Sequence, residues 1–120
     1  MTLSTTSPEI LEFIAGIQKI KNEYFAKNLT SLEKPLMVCE RGTKFLAVDV
    51  ISNPSTGTGR SIFCFIAACD GETKGLGAFK KGDIMKSASY KIPAKHSRGN
   101  LYDDKKGLGS IGPYGPAFLK

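Results

Sequence analysis

The sequence predicts an α+β domain: one N-terminal amphipathic helix, a small and mostly antiparallel sheet of short strands, and an irregular Gly/Pro-rich tail. Three observations carry that expectation. Apolar residues recur at helical spacing only near the N-terminus. From Leu36 onward the apolar period drops to two, and turn residues separate short runs. After Asn100 neither period survives, and glycine and proline accumulate.

The helix is expected over about residues 8–27. Ser7 can cap it, Pro8 suits its first position, and Glu9 complements the positive end of its dipole. Ile10, Phe13, Ile14, Ile17, Lys21 and Tyr24 follow at spacings of three or four. All but Lys21 are apolar or aromatic, so one stripe faces a core. Gly16 costs roughly 1 kcal/mol against alanine, which a packed helix tolerates. Asn28 can end the helix, and Pro35 marks the exit into strands.

Strands are expected within about residues 36–92. Leu36–Glu40 and Thr43–Ile51 flank a compact turn at Arg41-Gly42, and 53–59 reads as a polar loop. Ser61–Ala68 is the most apolar run and reads as a central strand buried on both faces. Asp70–Gly77 reads as a turn-rich link. Asp83–Ile92 alternates cleanly, with Ile84, Lys86, Ala88, Tyr90 and Ile92 on one face. Pro93 is expected to close this strand, because proline gives the ladder no N–H. Residues 93–120 are then irregular, with Tyr114, Phe118 and Leu119 available for burial. The order of elements also suits a small Sm-like or OB-like barrel by analogy.

Bulk properties narrow the classes. At 120 residues, 41% hydrophobic and 23% charged, the chain (residues 1–120) fits a single folded domain with one core. No apolar run approaches the roughly 20 residues that span a bilayer, so no membrane partner is expected. The N-terminus lacks the cationic and apolar pattern of a secretory signal, and a cytoplasmic location is expected. Cys39, Cys64 and Cys69 are odd in number and form no Cys-x-x-Cys. They read as reduced, buried small hydrophobes, with no metal site and no cofactor.

Charge is the functional signal. From Lys74 to Arg98 seven cations face one anion, Asp83, an excess equal to the whole net charge of +6. Clustered cations favour polyanions, nucleic acid first. Tyr90 lies among the lysines, and an aromatic flanked by cations suits single-stranded bases. Arg98-Gly99-Asn100 sets a guanidinium beside a pliant backbone, a good phosphate clamp. The expected contact strip is Lys86, Tyr90, Lys91, Lys95, His96, Arg98 and Asn100, with Lys80 and Lys81 adding approach charge. If all seven cations met phosphates, affinity would fall with salt at a log–log slope of about −5 for a single strand. The competing reading is a solvated sheet face, since lysines at edges also discourage aggregation.

Other motifs lose on context. Gly107-Leu-Gly-Ser-Ile-Gly112 satisfies G-x-G-x-x-G, but Pro113-Tyr-Gly-Pro116 follows where a pyrophosphate-binding helix must begin. Gly57-Thr-Gly-Arg-Ser61 lacks the lysine and following helix of a phosphate-binding loop. His96, the single histidine, has Asp103 and Asp104 as its nearest orienting carboxylates, and nothing selects Ser89, Ser97 or a cysteine as nucleophile. Lysine neighbours are expected to depress its pKa.

The run Gly82–Asn100, followed by Gly112-Pro-Tyr-Gly-Pro-Ala-Phe-Leu119, resembles a family of short uncharacterised bacteriophage proteins. Their pattern joins F-x-F-I-D to G-D-I-x-K-x-A-S-x-K-x-P-A-K-H-x-R-G-N and a Gly-Pro-Tyr-Gly-Pro-like end. Phe63-Cys-Phe-Ile66 matches the first piece, and Lys91, Pro93, Ala94, Lys95, His96, Arg98, Gly99 and Asn100 match the second. The chain departs at Ala67-Ala68-Cys69, where the acidic residue comes later as Asp70, and it adds residues between Lys74 and Lys81. The resemblance covers roughly the second half and implies phage origin in a host cytoplasm. It supplies no activity and no site residue.

Three functions follow as expectations. The first is a non-enzymatic domain that binds single-stranded DNA or RNA, with a homo-oligomer allowed. The second is a protein-binding or assembly module using the tail at Tyr114 and Phe118. The third is an enzyme built on His96.

Overall fold

The computed structural model describes residues 2–28, 31–42, 44–73, 77–87, 93–102, 108, 111–112 and 115–116. One helix, α1 (Pro8–Asn28), precedes the strands β1 (Leu36–Arg41), β2 (Phe45–Asn53), β3 (Thr58–Ala67), β4 (Gly71–Thr73), β5 (Gly77–Phe79), β6 (Asp83–Ser87), β7 (Pro93–Asn100), β8 (Ile111–Gly112) and β9 (Gly115–Pro116). A five-stranded sheet runs β1-β2-β3-β6-β7, and each neighbouring pair is antiparallel. The protein is therefore α+β, as its two periods require. Among the described residues the ladder is open, with β1 and β7 at its edges.

Helix α1 forms where the apolar stripe predicts it. The Ser7 carbonyl accepts from the N–H groups of Ile10 and Leu11, while the Ser7 hydroxyl turns back to accept from Ser4 N–H at 2.8 Å. At the other end the Asn28 amide donates to the Tyr24 carbonyl. Ile10, Phe13 and Ile17 are buried against Leu46, Val48, Val50, Cys64, Ile66 and Ile84. Each of the three helix side chains contributes about 1.5–3 kcal/mol by leaving water, which outweighs the roughly 1 kcal/mol cost of Gly16. A Cβ at Gly16 would stand 2.6 Å from Cδ1 of Leu108, so that leucine side chain would have to shift to admit one.

Strand β3 is central, and Phe63–Ala68 is buried throughout, as its unbroken apolar run predicts. The β2–β3 connection is tighter than the sequence implied. Only residues 54–57 form the turn, and Thr58–Arg60 belong to β3. The expected link at 70–77 instead contributes to the β4–β5 hairpin. Phe79 at its end packs on Phe45, ring centroids 4.9 Å apart, in a second small cluster with Ala67 and Met85. Further along β2, buried Asp49 accepts from Arg41 and Arg60, and Arg60 also donates to Glu40. Register shifts at Cys39/Arg41 and Val48/Asp49 flank this network, as bulges that re-aim side chains often do.

The largest departure is at Pro93. The expected irregular region begins with an eight-residue strand, and Pro93 opens β7 rather than closing the strand before it. β7 is an edge strand, and proline at the first residue of an edge deprives no inner neighbour of a bond. β7 spends eight residues against the five of β6, with register shifts between Asp83/Met85 and Met85/Ser87. Its sequence, Pro-Ala-Lys-His-Ser-Arg-Gly-Asn, carries no apolar alternation that would have revealed the strand. The tail also contains order: β8 and β9 pair, and Leu108 and Ile111 pack on the main core.

Candidate functional site

The predicted strip is divided by the fold. Lys86 lies on β6, and Lys95, His96, Arg98 and Asn100 lie along the edge strand β7. Tyr90 and Lys91 lie outside the described residues, as do the side chains of Lys86, Lys95, His96 and Arg98. The backbone alone brings the β7 residues to one sheet edge, antiparallel to β6, with Met85 opposite Ser97 and Asp83 opposite Asn100.

Asn100 can be followed to its contacts. Its side-chain amide donates to the Lys81 carbonyl and to Oδ1 of Asp83, both at 2.9 Å. Its side-chain oxygen accepts from Tyr102 N–H at 2.8 Å. Asn100 therefore ties the end of β7 to the turn Lys80–Gly82 that leads into β6. That turn is fixed further by Lys80 N–H to Asp83, Lys81 N–H to Asp70, Gly82 N–H to the Ala67 carbonyl, and Leu101 N–H to the Gly82 carbonyl. Gly82 has φ +87°, and a Cβ on it would come 3.0 Å from both Asn100 Oδ1 and the Tyr102 ring. Glycine is needed there on both counts.

This turn sets a cation beside an exposed aromatic. Tyr102 is 53% exposed, and the Lys81 ammonium lies 5.7 Å from its ring centroid. A similar pairing puts Lys44 5.6 Å from the centroid of Phe79. The Tyr102 hydroxyl donates to Glu9 Oε2 at 2.9 Å. Its pKa is raised, first by partial burial and then by the Glu9 bond and charge. Glu9 is held below its usual range by a hydrogen bond from its own backbone, then by the Tyr102 hydroxyl, with the Lys81 charge adding to both. Tyr102 thus stands between the Lys81 ammonium and Glu9, and it lines a cleft of about 490 Å³ with Glu9, Glu12, Phe13 and Leu101.

Sequence reasoning missed Tyr102. It stands two residues past the motif, and its cationic neighbour is far away in the chain, so no local spacing joins them. The three cysteines are free, as expected, but only Cys64 is fully buried; Cys39 and Cys69 are partly exposed. Among the described residues no group of His, Cys, Asp and Glu could hold a metal ion, and no helix is long and apolar enough to cross a membrane. Residues 11–110 match the model of a family of unknown function. No curated protein and no solved structure matches.

Proposed function

We propose that this chain, which belongs to the DUF7717 family of unknown function, is a non-enzymatic domain that binds single-stranded DNA or RNA at the β7 edge and the turn beyond it. The observation that carries the reading is the Lys81–Tyr102 pair at the end of the most basic strand. A base stacked on Tyr102 would leave its phosphate within reach of Lys81, and a strand continuing along β7 would pass Arg98, His96 and Lys95. Lys86, Tyr90 and Lys91 complete the proposed contact set. Asn100 acts in this reading as the residue that positions Tyr102.

Phosphate contacts dominate such a surface, so sequence preference is modest and salt dependence strong. Five cations (Lys81, Lys86, Lys91, Lys95 and Arg98) give a log–log slope of about −3.5 with single strands, shallower than all seven would give. Fluorescence anisotropy with labelled oligonucleotides at rising salt tests this. Tyr102→Ala should weaken binding about 5- to 150-fold, since one stacked base is worth about 1–3 kcal/mol, while Tyr102→Phe retains it. Absent or salt-independent binding sinks the proposal.

The bacteriophage resemblance adds a setting to this reading: a phage-encoded protein acting in the host cytoplasm. Pairing of the β1 and β7 edges between copies would close a ring or barrel of the Sm kind and extend the basic edge around it. Light scattering that gives the mass of a single chain would remove that part of the proposal.

A further inference from the structure

Lys21 interrupts the apolar stripe of α1, and its surroundings give the interruption a chemical meaning. A lysine at such a position ordinarily snorkels its ammonium to water. Lys21 instead is only 5% exposed. Its ammonium stands 5.5 Å from the ring centroid of Phe63 and 6.0 Å from that of Phe25. Burial lowers its pKa.

These rings belong to a cleft of about 400 Å³ between α1, the segment before β1, and the β2–β3 pair. Leu32, Pro35, Val50 and Ile62 extend its apolar wall, and Ser52, Asn53 and Ser61 bring neutral hydrogen-bonding groups. Glu33 is the carboxylate among the described lining residues. One of its oxygens accepts from Ser55 N–H at 2.7 Å and the other from the Ser55 hydroxyl at 2.9 Å. An apolar cleft with a few polar groups and one desolvated charge is the usual form of a small-molecule site. The sign of the charge selects an anion, and the rings and aliphatic walls select a flat apolar body.

We propose that this cleft binds a small aromatic carboxylate, its ring against Phe25, Phe63 and Val50 and its carboxylate accepting from the Lys21 ammonium. The hydroxyls of Ser52 and Ser61 and the Asn53 amide can donate to the same carboxylate or to a ring substituent. Binding here is independent of nucleic-acid binding at the β7 edge, because none of the cleft residues belongs to the proposed strip.

The test uses 2-naphthoate and its neutral analogue 2-naphthalenemethanol on the full chain, with calorimetry and amide chemical-shift mapping. Saturable naphthoate binding is expected, with shifts centred on Ser52, Asn53, Ser61 and Phe63. The carboxylate should bind at least about 10-fold more tightly than the alcohol, as a charge-assisted hydrogen bond implies. Lys21→Met keeps the volume and removes the charge, so it should erase that preference. Equal binding of acid and alcohol by the unaltered chain overturns the proposal without any variant. So do shifts centred elsewhere, or a preference that survives in a folded Lys21→Met protein.

Discussion

Buried charge is handled in two ways at the scale of single residues. Asp49, 1% exposed, accepts from two guanidiniums, Arg41 and Arg60, so its buried oxygens are bonded by cationic donors. Lys21 is buried with the rings of Phe63 and Phe25 near its ammonium, and leaving water disfavours its charged form. Its folded pKa consequently falls below the ordinary lysine value. Between the lowered folded pKa and the unfolded value near 10.4, the unfolded chain binds more protons, so this residue makes stability rise with pH. Cys39 acts in the opposite sense. Burial, then Asp49 and Glu40, push its thiol up to about 11, and burial raises Cys64 as well, so stability falls as unfolded thiols ionise above about pH 8.5. Urea midpoints of the native chain and Lys21→Met between pH 7 and 10 separate the two, because the thiol contribution cancels in the difference. Lys21→Met should be the more stable at neutral pH, with its advantage shrinking as pH rises. Parallel curves would show that Lys21 carries no burial penalty.

At the scale of elements, the turn between β5 and β6 determines where β7 ends and where Tyr102 points. Four chain segments meet through it: Ala67, Asp70, Lys80–Asp83 and Asn100–Tyr102. Gly82→Ala introduces both a disfavoured positive φ and a Cβ against Asn100 and Tyr102. It should cost about 1 kcal/mol or more in stability, read by thermal or urea unfolding. The proposed oligonucleotide affinity should fall with it. A Gly82→Ala protein as stable as the native chain would mean that this turn is not under the constraint described.

Charge is the property that belongs to the whole molecule. Outside the stretch from Lys74 to Arg98 cations and anions balance, so the field of the protein originates in one part of the chain. Replacing Lys95 and Arg98 with glutamine should make the salt slope of the proposed single-strand binding shallower by about 1.4, at roughly 0.7 per phosphate contact. Calorimetry or anisotropy at four salt concentrations reads this directly. An unchanged slope would move the interface away from the outer half of β7.

Much of the architecture was legible because it follows from local periodicity. Ile10, Phe13 and Ile17 mark one face of a helix by spacing alone, and the apolar run at Phe63–Ala68 has no stable place except the middle of a sheet. The stretch at 93–100 was not legible, since Pro93 and Ala94 are its only apolar residues and no period of two can show. Nor was the β4–β5 hairpin, whose three-residue strands are too short to show a period and whose anchor, Phe79, meets Phe45 from a distant strand. The candidate site divides the same way. Its cations could be counted in the sequence, because charge is a property of composition.

The sequence by itself determined the α+β class, the amphipathic helix, the central strand and the concentration of positive charge. Tertiary structure decided that β7 is an edge, that Asn100 turns inward to hold a turn, that Tyr102 stands exposed beside Lys81, and that Lys21 lies within a cleft. The physical reason is range. Helix and strand periods arise from contacts within a few residues, whereas these four features depend on partners brought together by sheet pairing and burial across the chain.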